Sequence, residues 1–163
     1  MYSALAFRWS RIRQRPFETL LVVALIVAAI MVRGVFFHVE SADYTVFFKP
    51  WSDHLAQTGL AGLKDASFAN YNTPYLLILW LGTHLSLSTL TFIKLVSGLF
   101  DGVMAVTVYL IVREFRPRGK AKLIAALATF WLPTVIINSS WWGQCDSIYT
   151  AWLLLTFYAC LRG

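Results

Sequence analysis

Apolar and polar positions follow one another along this chain in long blocks, and short polar segments separate the apolar runs. A run of about 20 apolar residues is long enough to cross a bilayer as a helix, whereas shorter runs are typical of buried or re-entrant segments. The pattern predicts an all-α, multi-pass helical membrane protein. Its apolar segments are residues 17–37, 74–88, 90–112, 123–137 and 148–162.

The basic residues predict which of these segments cross the membrane. Four arginines precede the first apolar run, and five lysines and arginines fill residues 113–122. Both groups should be cytoplasmic, since positive residues that flank spans favour that side. If all five segments crossed, the second group would face outward, so one segment must not span. We expect this to be 74–88, which is about 15 residues long and contains Gly82 and His84.

Four crossings then divide the chain into alternating spans and loops. We expect a cell-membrane protein with a cytoplasmic N-terminus. Because the last apolar run stops at Gly163, we also expect this chain to be the N-terminal portion of a longer protein. The predicted segments are a cytoplasmic basic N-terminus (1–16), a first transmembrane helix (17–37), an outer loop with surface helices and a short re-entrant helix (38–89), a second transmembrane helix (90–112), a cytoplasmic basic loop (113–122), a third transmembrane helix (123–137), a second outer loop (138–147) and a fourth transmembrane helix (148–163).

Composition supports a membrane protein. The chain has 163 residues, of which 58% are hydrophobic and 13% charged, and a soluble domain of this size does not need so many apolar residues. The net charge of +6 is explained by residues that orient the spans, so we expect no nucleic-acid partner. The first run lacks a cleavage pattern and is interpreted as a retained anchor. Cys145 and Cys160 are too far apart along one predicted helix to form a disulfide.

Acidic residues occur on the predicted outer side. Asp43 follows the first span and Asp146 begins the fourth, so two separate connections bring carboxylates to the same face. For each, the alternative is a helix N-cap worth about 1 kcal/mol. Asp101 lies near the middle of the second predicted span, where it needs a partner or a proton. Arg33 and Lys94, near the outer ends of spans, are expected to extend towards the interface.

Three stretches resemble bacterial integral-membrane glycosyltransferases of the GT-C class, in a mannosyltransferase-like group related to the GPI mannosyltransferases. They are "SADYTVFFKPW" (41–51), "NYNTPYLLILWL" (70–81) and "LPTVIINSSWWGQCDSIYTAWLLLTFY" (132–158). The resemblance covers most of the chain from Ser41 onward. Its most specific part is W-G-Q-x-D at residues 142–146.

This resemblance implies an enzyme that moves a sugar from a polyprenyl-phosphate donor to a glycan, lipid or protein acceptor at the outer face of the membrane. Ala42 and Tyr44 flank Asp43 where some relatives have paired acids, so metal use is in doubt. We predict no cofactor, and a divalent metal remains open. The expected catalytic residues are Asp43 and Asp146, and the expected substrate-binding residues are Lys49, Trp51, His54, Tyr71, Trp142 and Gln144.

Two other classes of function remain open. A transporter or lipid flippase fragment would also need spans with a few buried polar groups, and it should have broken helices and polar residues near mid-membrane. In this sequence only Asp101 has that position. The third possibility is a non-catalytic membrane module.

Overall fold

The computed structural model describes residues 16–65 and 67–163, and every regular element in these ranges is helical. This confirms the all-α prediction; residues 1–15 of the predicted cytoplasmic segment lie outside the described ranges. The α-helices are α1 (Pro16–Val35), α2 (Lys49–Thr58), α3 (Thr73–Gly82), α4 (Thr89–Phe115), α5 (Ala121–Trp131), α6 (Pro133–Ile136) and α7 (Asp146–Arg162). A π-helical turn (Tyr44–Phe48) precedes α2, a 3-10 turn (Gly59–Lys64) follows it, and a second π-helical segment (Ile137–Trp142) follows α6.

Two of the described helices are long and apolar enough to cross a membrane. They are α1, with 20 residues, and α4, with 27 residues. A third span exists if α5 and the stretch Pro133–Trp142 count as one, although they are bent by 45°. The described part of the chain therefore has two to three helices with the character of membrane spans.

The bend after α5 follows from local sequence. Pro133 has no N–H to donate and disfavours helical geometry in the residue before it. Leu132 is accordingly extended, with φ −56° and ψ 124°. The chain becomes helical again at Pro133 and stays helical through Trp142. A loop had been expected from residue 138. Gly143, with a φ of 71°, ends the helical stretch, because glycine adopts this left-handed conformation without strain.

Helix α3 has a side-chain cap at its start. The Asn72 side chain accepts a hydrogen bond from the backbone N–H of Tyr75 at 3.0 Å, and Pro74 lies in the first turn. The helix ends at Gly82 after ten residues. Its rise is about 15 Å, which is half of the roughly 30 Å hydrocarbon core.

One end of the helix bundle carries charged side chains from four different segments. Lys120 pairs with Glu18 at 2.8 Å, and Arg162 approaches Glu114 at 3.5 Å. These contacts bring together the starts of α1 and α5 and the ends of α4 and α7. The four segments therefore run in alternating directions, and both predicted outer loops lie at the opposite end.

At that opposite end the first loop folds into an apolar core of its own. Aromatic and leucine side chains from the π-helical turn, α2 and α3 pack around the first turns of α4, where Ile93 is buried. Gly59, with a φ of 63°, ends α2, so Leu60 is half exposed and outside the core. The buried members from the loop are Tyr44, Phe48, Trp51, Leu55, Tyr75, Leu76 and Leu79.

Candidate functional site

Asp43 is joined to the second predicted outer loop by a side-chain hydrogen bond. The helix cap belongs to Ser41, whose Oγ accepts from the backbone N–H of Tyr44 at 3.2 Å and donates to the carbonyl of Trp142 at 2.7 Å. The Asp43 side chain makes no cap hydrogen bond. Its Oδ2 instead accepts from Nε2 of Gln144. Two hydrogen bonds thus tie the segment around Asp43 to the W-G-Q-x-D segment.

A cavity of about 320 Å³ opens beside this pair. The Trp51 and Tyr71 rings, whose centroids are 5.6 Å apart, form part of its wall. Aromatic surfaces with a few convergent polar groups are typical of small-molecule sites. The lining combines one carboxylate and two amides with aromatic rings: Asp43, Asn70, Gln144, Phe47, Trp51 and Tyr71.

A second cavity, of about 600 Å³, lies on the other side of Tyr71. Its walls are mostly apolar and come from α3, α4 and α7, for example Ile78, Phe100 and Trp152. Asp146 lies in this lining, and its Oδ2 accepts from Nδ2 of Asn138 at 2.9 Å. As the first residue of α7, this carboxylate is favoured by the positive end of the helix dipole. The two predicted acids therefore border neighbouring cavities.

Tyr71 lines both cavities, and Cys145 lines the larger one. The Tyr71 hydroxyl and the Cys145 Sγ are 2.7 Å apart. Burial, and then the bond to Cys145, raises the pKa of Tyr71 above its usual value, and burial likewise raises the pKa of the Cys145 thiol. Both groups are protonated at neutral pH, so neither is suited to act as a base there.

Three of the predicted binding residues do not line either cavity. Lys49 forms an exposed ion pair with Asp53 at 2.6 Å, and this hydrogen bond raises the pKa of the lysine. His54 stacks on Phe68 with ring centroids 4.3 Å apart. The Trp142 side chain is half exposed. By contrast, Trp51, Tyr71 and Gln144 do converge with Asp43.

Among the residues that the structure describes, no lysine or arginine lines either cavity. Among residues 16–65 and 67–163, no three His, Cys, Asp or Glu side chains are grouped as metal ligands. The chemistry visible at this end of the molecule is therefore that of two carboxylates, amides and aromatic rings.

Below the cavities lies a buried polar cluster centred on Asp101. The carboxylate accepts from Nε of Arg33 at 3.0 Å and from the hydroxyls of Ser139, at 2.7 Å, and Ser147. Arg33 also donates to the carbonyl of Phe130 at 2.8 Å. Asp101 thus has the partner that its sequence position requires. The first turns of α4 extend beyond the end of α1 and the start of α7 into the loop core. Asp101, near the middle of α4, therefore lies beside the last turn of α1 and the first turn of α7.

Two basic residues expected at the interface are instead buried. Arg33 binds Asp101, and Lys94 is fully buried, with its Nζ donating to the carbonyls of Phe36, at 2.7 Å, and Val39, at 2.5 Å. Such side chains commonly extend to water, but here a carboxylate and backbone carbonyls lie within hydrogen-bonding distance. The sequence did contain a signal for this ion pair. Arg33 and Asp101 have opposite charges, and each lies within an apolar segment of a different predicted span.

Comparison with protein-family models, with curated proteins and with solved structures found no match. The family resemblance therefore stays a prediction that depends on the motifs and on the geometry they adopt.

Proposed function

We propose that this chain is the N-terminal module of a GT-C-like membrane glycosyltransferase, mannosyltransferase-like in its motifs. It would transfer a sugar from a polyprenyl-phosphate donor to an acceptor at the outer face of the membrane. The observation that carries the proposal is the hydrogen bond between Asp43 and Gln144 beside an aromatic-lined cavity. It joins two of the three segments whose motifs resemble that class.

The proposed topology has four crossings, made by α1, α4, the bent stretch from α5 to Trp142, and α7. The ion pairs Lys120–Glu18 and Arg162–Glu114 support it, because they collect the predicted cytoplasmic ends. Helix α7 has 17 residues and a length of about 25 Å. Helix α3 and the first loop then remain on the outer side, next to the membrane surface.

Asp43 is suited to act as the general base. When an acceptor hydroxyl attacks the anomeric carbon, its oxygen forms the new bond, the bond to the carrier phosphate breaks, and the hydroxyl proton passes to the carboxylate. A base must lie within about 3 Å of that proton. The Gln144 amide fixes one oxygen of Asp43, which orients the carboxylate towards the small cavity. Asp146 would bind or orient a substrate hydroxyl from the neighbouring cavity.

The two cavities differ in the substrate part that they suit. The small one, with its acid and amides, offers hydrogen bonds to sugar hydroxyls. The larger one is mostly apolar and suits the chain of a lipid-linked substrate. Positive groups should offset the charge on the leaving phosphate, and the resemblance implies that later loops of such enzymes help to supply them.

The test is a transfer assay with labelled polyprenyl-phosphate sugars and membranes that contain the full-length protein. We expect transfer by the unaltered protein and a loss of about 10² or more in Asp43→Asn, because an amide cannot take the proton. The matched control is Asp53→Asn, which alters an exposed carboxylate on α2 and should have little effect. Full transfer by Asp43→Asn would remove Asp43 as the base.

A transporter or flippase is the second candidate, favoured by the 45° bend and by the buried Asp101. Against it, Asp101 is bonded to Arg33 and two serines and lies level with helix ends. Vesicles containing the protein and a labelled polyprenyl phosphate, without acceptor, distinguish the two. The transporter candidate predicts movement of the lipid between leaflets, and the glycosyltransferase proposal predicts none.

A further inference from the structure

One face of α4 carries three buried polar side chains, Lys94, Ser97 and Asp101. Their spacing of three and then four residues places them on the same side of the helix. All three are at most 1% exposed. Buried polar groups are costly unless they are bonded, so the partners of these three residues indicate what the face does.

Each of the three reaches a segment that holds the Asp43–Gln144 pair. Lys94 donates to the carbonyls of Phe36 and Val39, which lie between α1 and Asp43. Ser97 donates to the carbonyl of Gln144 itself at 2.7 Å.

Asp101 accepts from Ser139 and Ser147. These serines stand on either side of the W-G-Q-x-D segment, and each is adjacent in sequence to a member of the Asn138–Asp146 hydrogen bond. The third residue of the face therefore fixes both ends of the second loop.

Thr107, further along α4, shows that burial of a polar group does not by itself produce this arrangement. It is 1% exposed, and its hydroxyl donates to the Val103 carbonyl of its own helix at 2.8 Å. Such a bond holds no other segment. The bonds that Lys94, Ser97 and Asp101 make to other segments all come from the first half of α4.

We propose that Lys94, Ser97 and Asp101 are positioning residues, which hold Asp43 and Gln144 in register from the α4 side. Lys94 fixes the approach to Asp43, Ser97 fixes the backbone of Gln144, and Asp101 fixes the loop that carries Gln144. A catalytic group must be held to within about 0.5 Å of its working geometry by the residues behind it. This role rests on the proposed function, since it concerns the same site.

The native thiol of Cys145 provides a test that needs no transfer activity. Cys145 follows Gln144 and is buried, whereas Cys160 is exposed. In full-length Cys160→Ser protein, we expect Ser97→Ala to make Cys145 react about tenfold faster with a maleimide, because local opening becomes easier. Ser147→Ala should act in the same direction. The control Thr107→Val, which alters an equally buried hydroxyl of α4, should leave the rate unchanged.

Transfer kinetics then separate positioning from general stability. Ser97→Ala should lower kcat about tenfold while KM changes less than about twofold, because substrate contacts remain and only the base is displaced. Equal Cys145 reactivity and equal kcat in Ser97→Ala and Thr107→Val would overturn the inference. Absence of transfer by the unaltered protein would instead contradict the proposed function, and the thiol rates would still decide whether α4 holds the loop.

Discussion

The Asp43 carboxylate is held by an amide from a segment about one hundred positions away, and helix capping is left to Ser41. The bond from Gln144 involves Oδ2, and Oδ1 has no hydrogen-bond partner among the described residues. One oxygen is therefore oriented and the other can accept a proton. The free oxygen is consistent with the general base that we propose.

Cys145 lines the larger cavity, and burial raises the pKa of its thiol. This raised pKa leads to a prediction about pH. In Cys160→Ser protein, maleimide modification of Cys145 should rise with a midpoint above the ordinary thiol pKa of about 8.5. Because the folded pKa is the higher one, the contribution to stability is present below the ordinary value and is lost as pH rises through the raised value. Thermal unfolding should show this decline above about pH 9.

The matched control for this pH dependence is Cys145→Ser in the same background. Serine does not titrate in this range, so the loss of stability at high pH should become smaller. A modification midpoint at the ordinary thiol value would show that Cys145 is not buried as described.

Single residues differ in how far the sequence predicted their roles. The need of Asp101 for a partner was predictable from the cost of a charge in an apolar run. The identity of that partner was not, because Arg33 lies 68 positions away and a lysine or arginine near a helix end normally extends to the interface. The convergence of Trp51, Tyr71 and Gln144 on Asp43 depends in the same way on packing between distant segments.

At the scale of elements, α3 and α4 approach closely at Gly82. A Cβ there would lie 2.4 Å from the Phe92 ring, so Gly82→Ala should force the ring to move. We expect a destabilisation of about 1–3 kcal/mol, seen as a lower Tm in detergent. Gly34→Ala is the control, because nothing lies within 4 Å of a Cβ at that position of α1. Equal Tm values for the two variants would contradict the described packing of α3.

The elements themselves were largely predictable, with one informative exception. The apolar run from residue 74 predicted a helix too short to span, and Pro74 suits the first turn of a helix; the cap by Asn72 was not predicted. The exception is the bend at Pro133. A proline can indicate a bend, but this one lies inside an apolar run long enough to suggest one continuous helix. Whether the chain after such a proline resumes as helix depends on contacts such as that of Ser139 with Asp101, which no local pattern contains.

The whole molecule has two chemically different ends. Basic residues collect where Lys120 meets Glu18, and both cavities lie at the other end. The charge pattern predicted this separation, since positive residues orient spans. It did not predict that the first loop would have its own apolar core around Ile93 of α4, because that core depends on how far α4 extends beyond α1.

The proposed topology predicts which positions face the same side. Single cysteines at positions 64, 120 and 146, in a cysteine-free background, can be tested in intact cells with a membrane-impermeant thiol reagent. Positions 64 and 146 should be labelled from outside, and position 120 only after the membrane is opened. External labelling of position 120 would contradict the four-crossing arrangement.

The central claim, that Asp43 and Gln144 form one catalytic site, is tested most directly by a double-mutant cycle on the transfer rate. Asp43→Asn and Gln144→Ala should each lower kcat, and the double variant should be no slower than Asp43→Asn alone, because residues that act as a unit are not additive. The account is contradicted if the two losses multiply independently, or if Gln144→Ala retains the full rate.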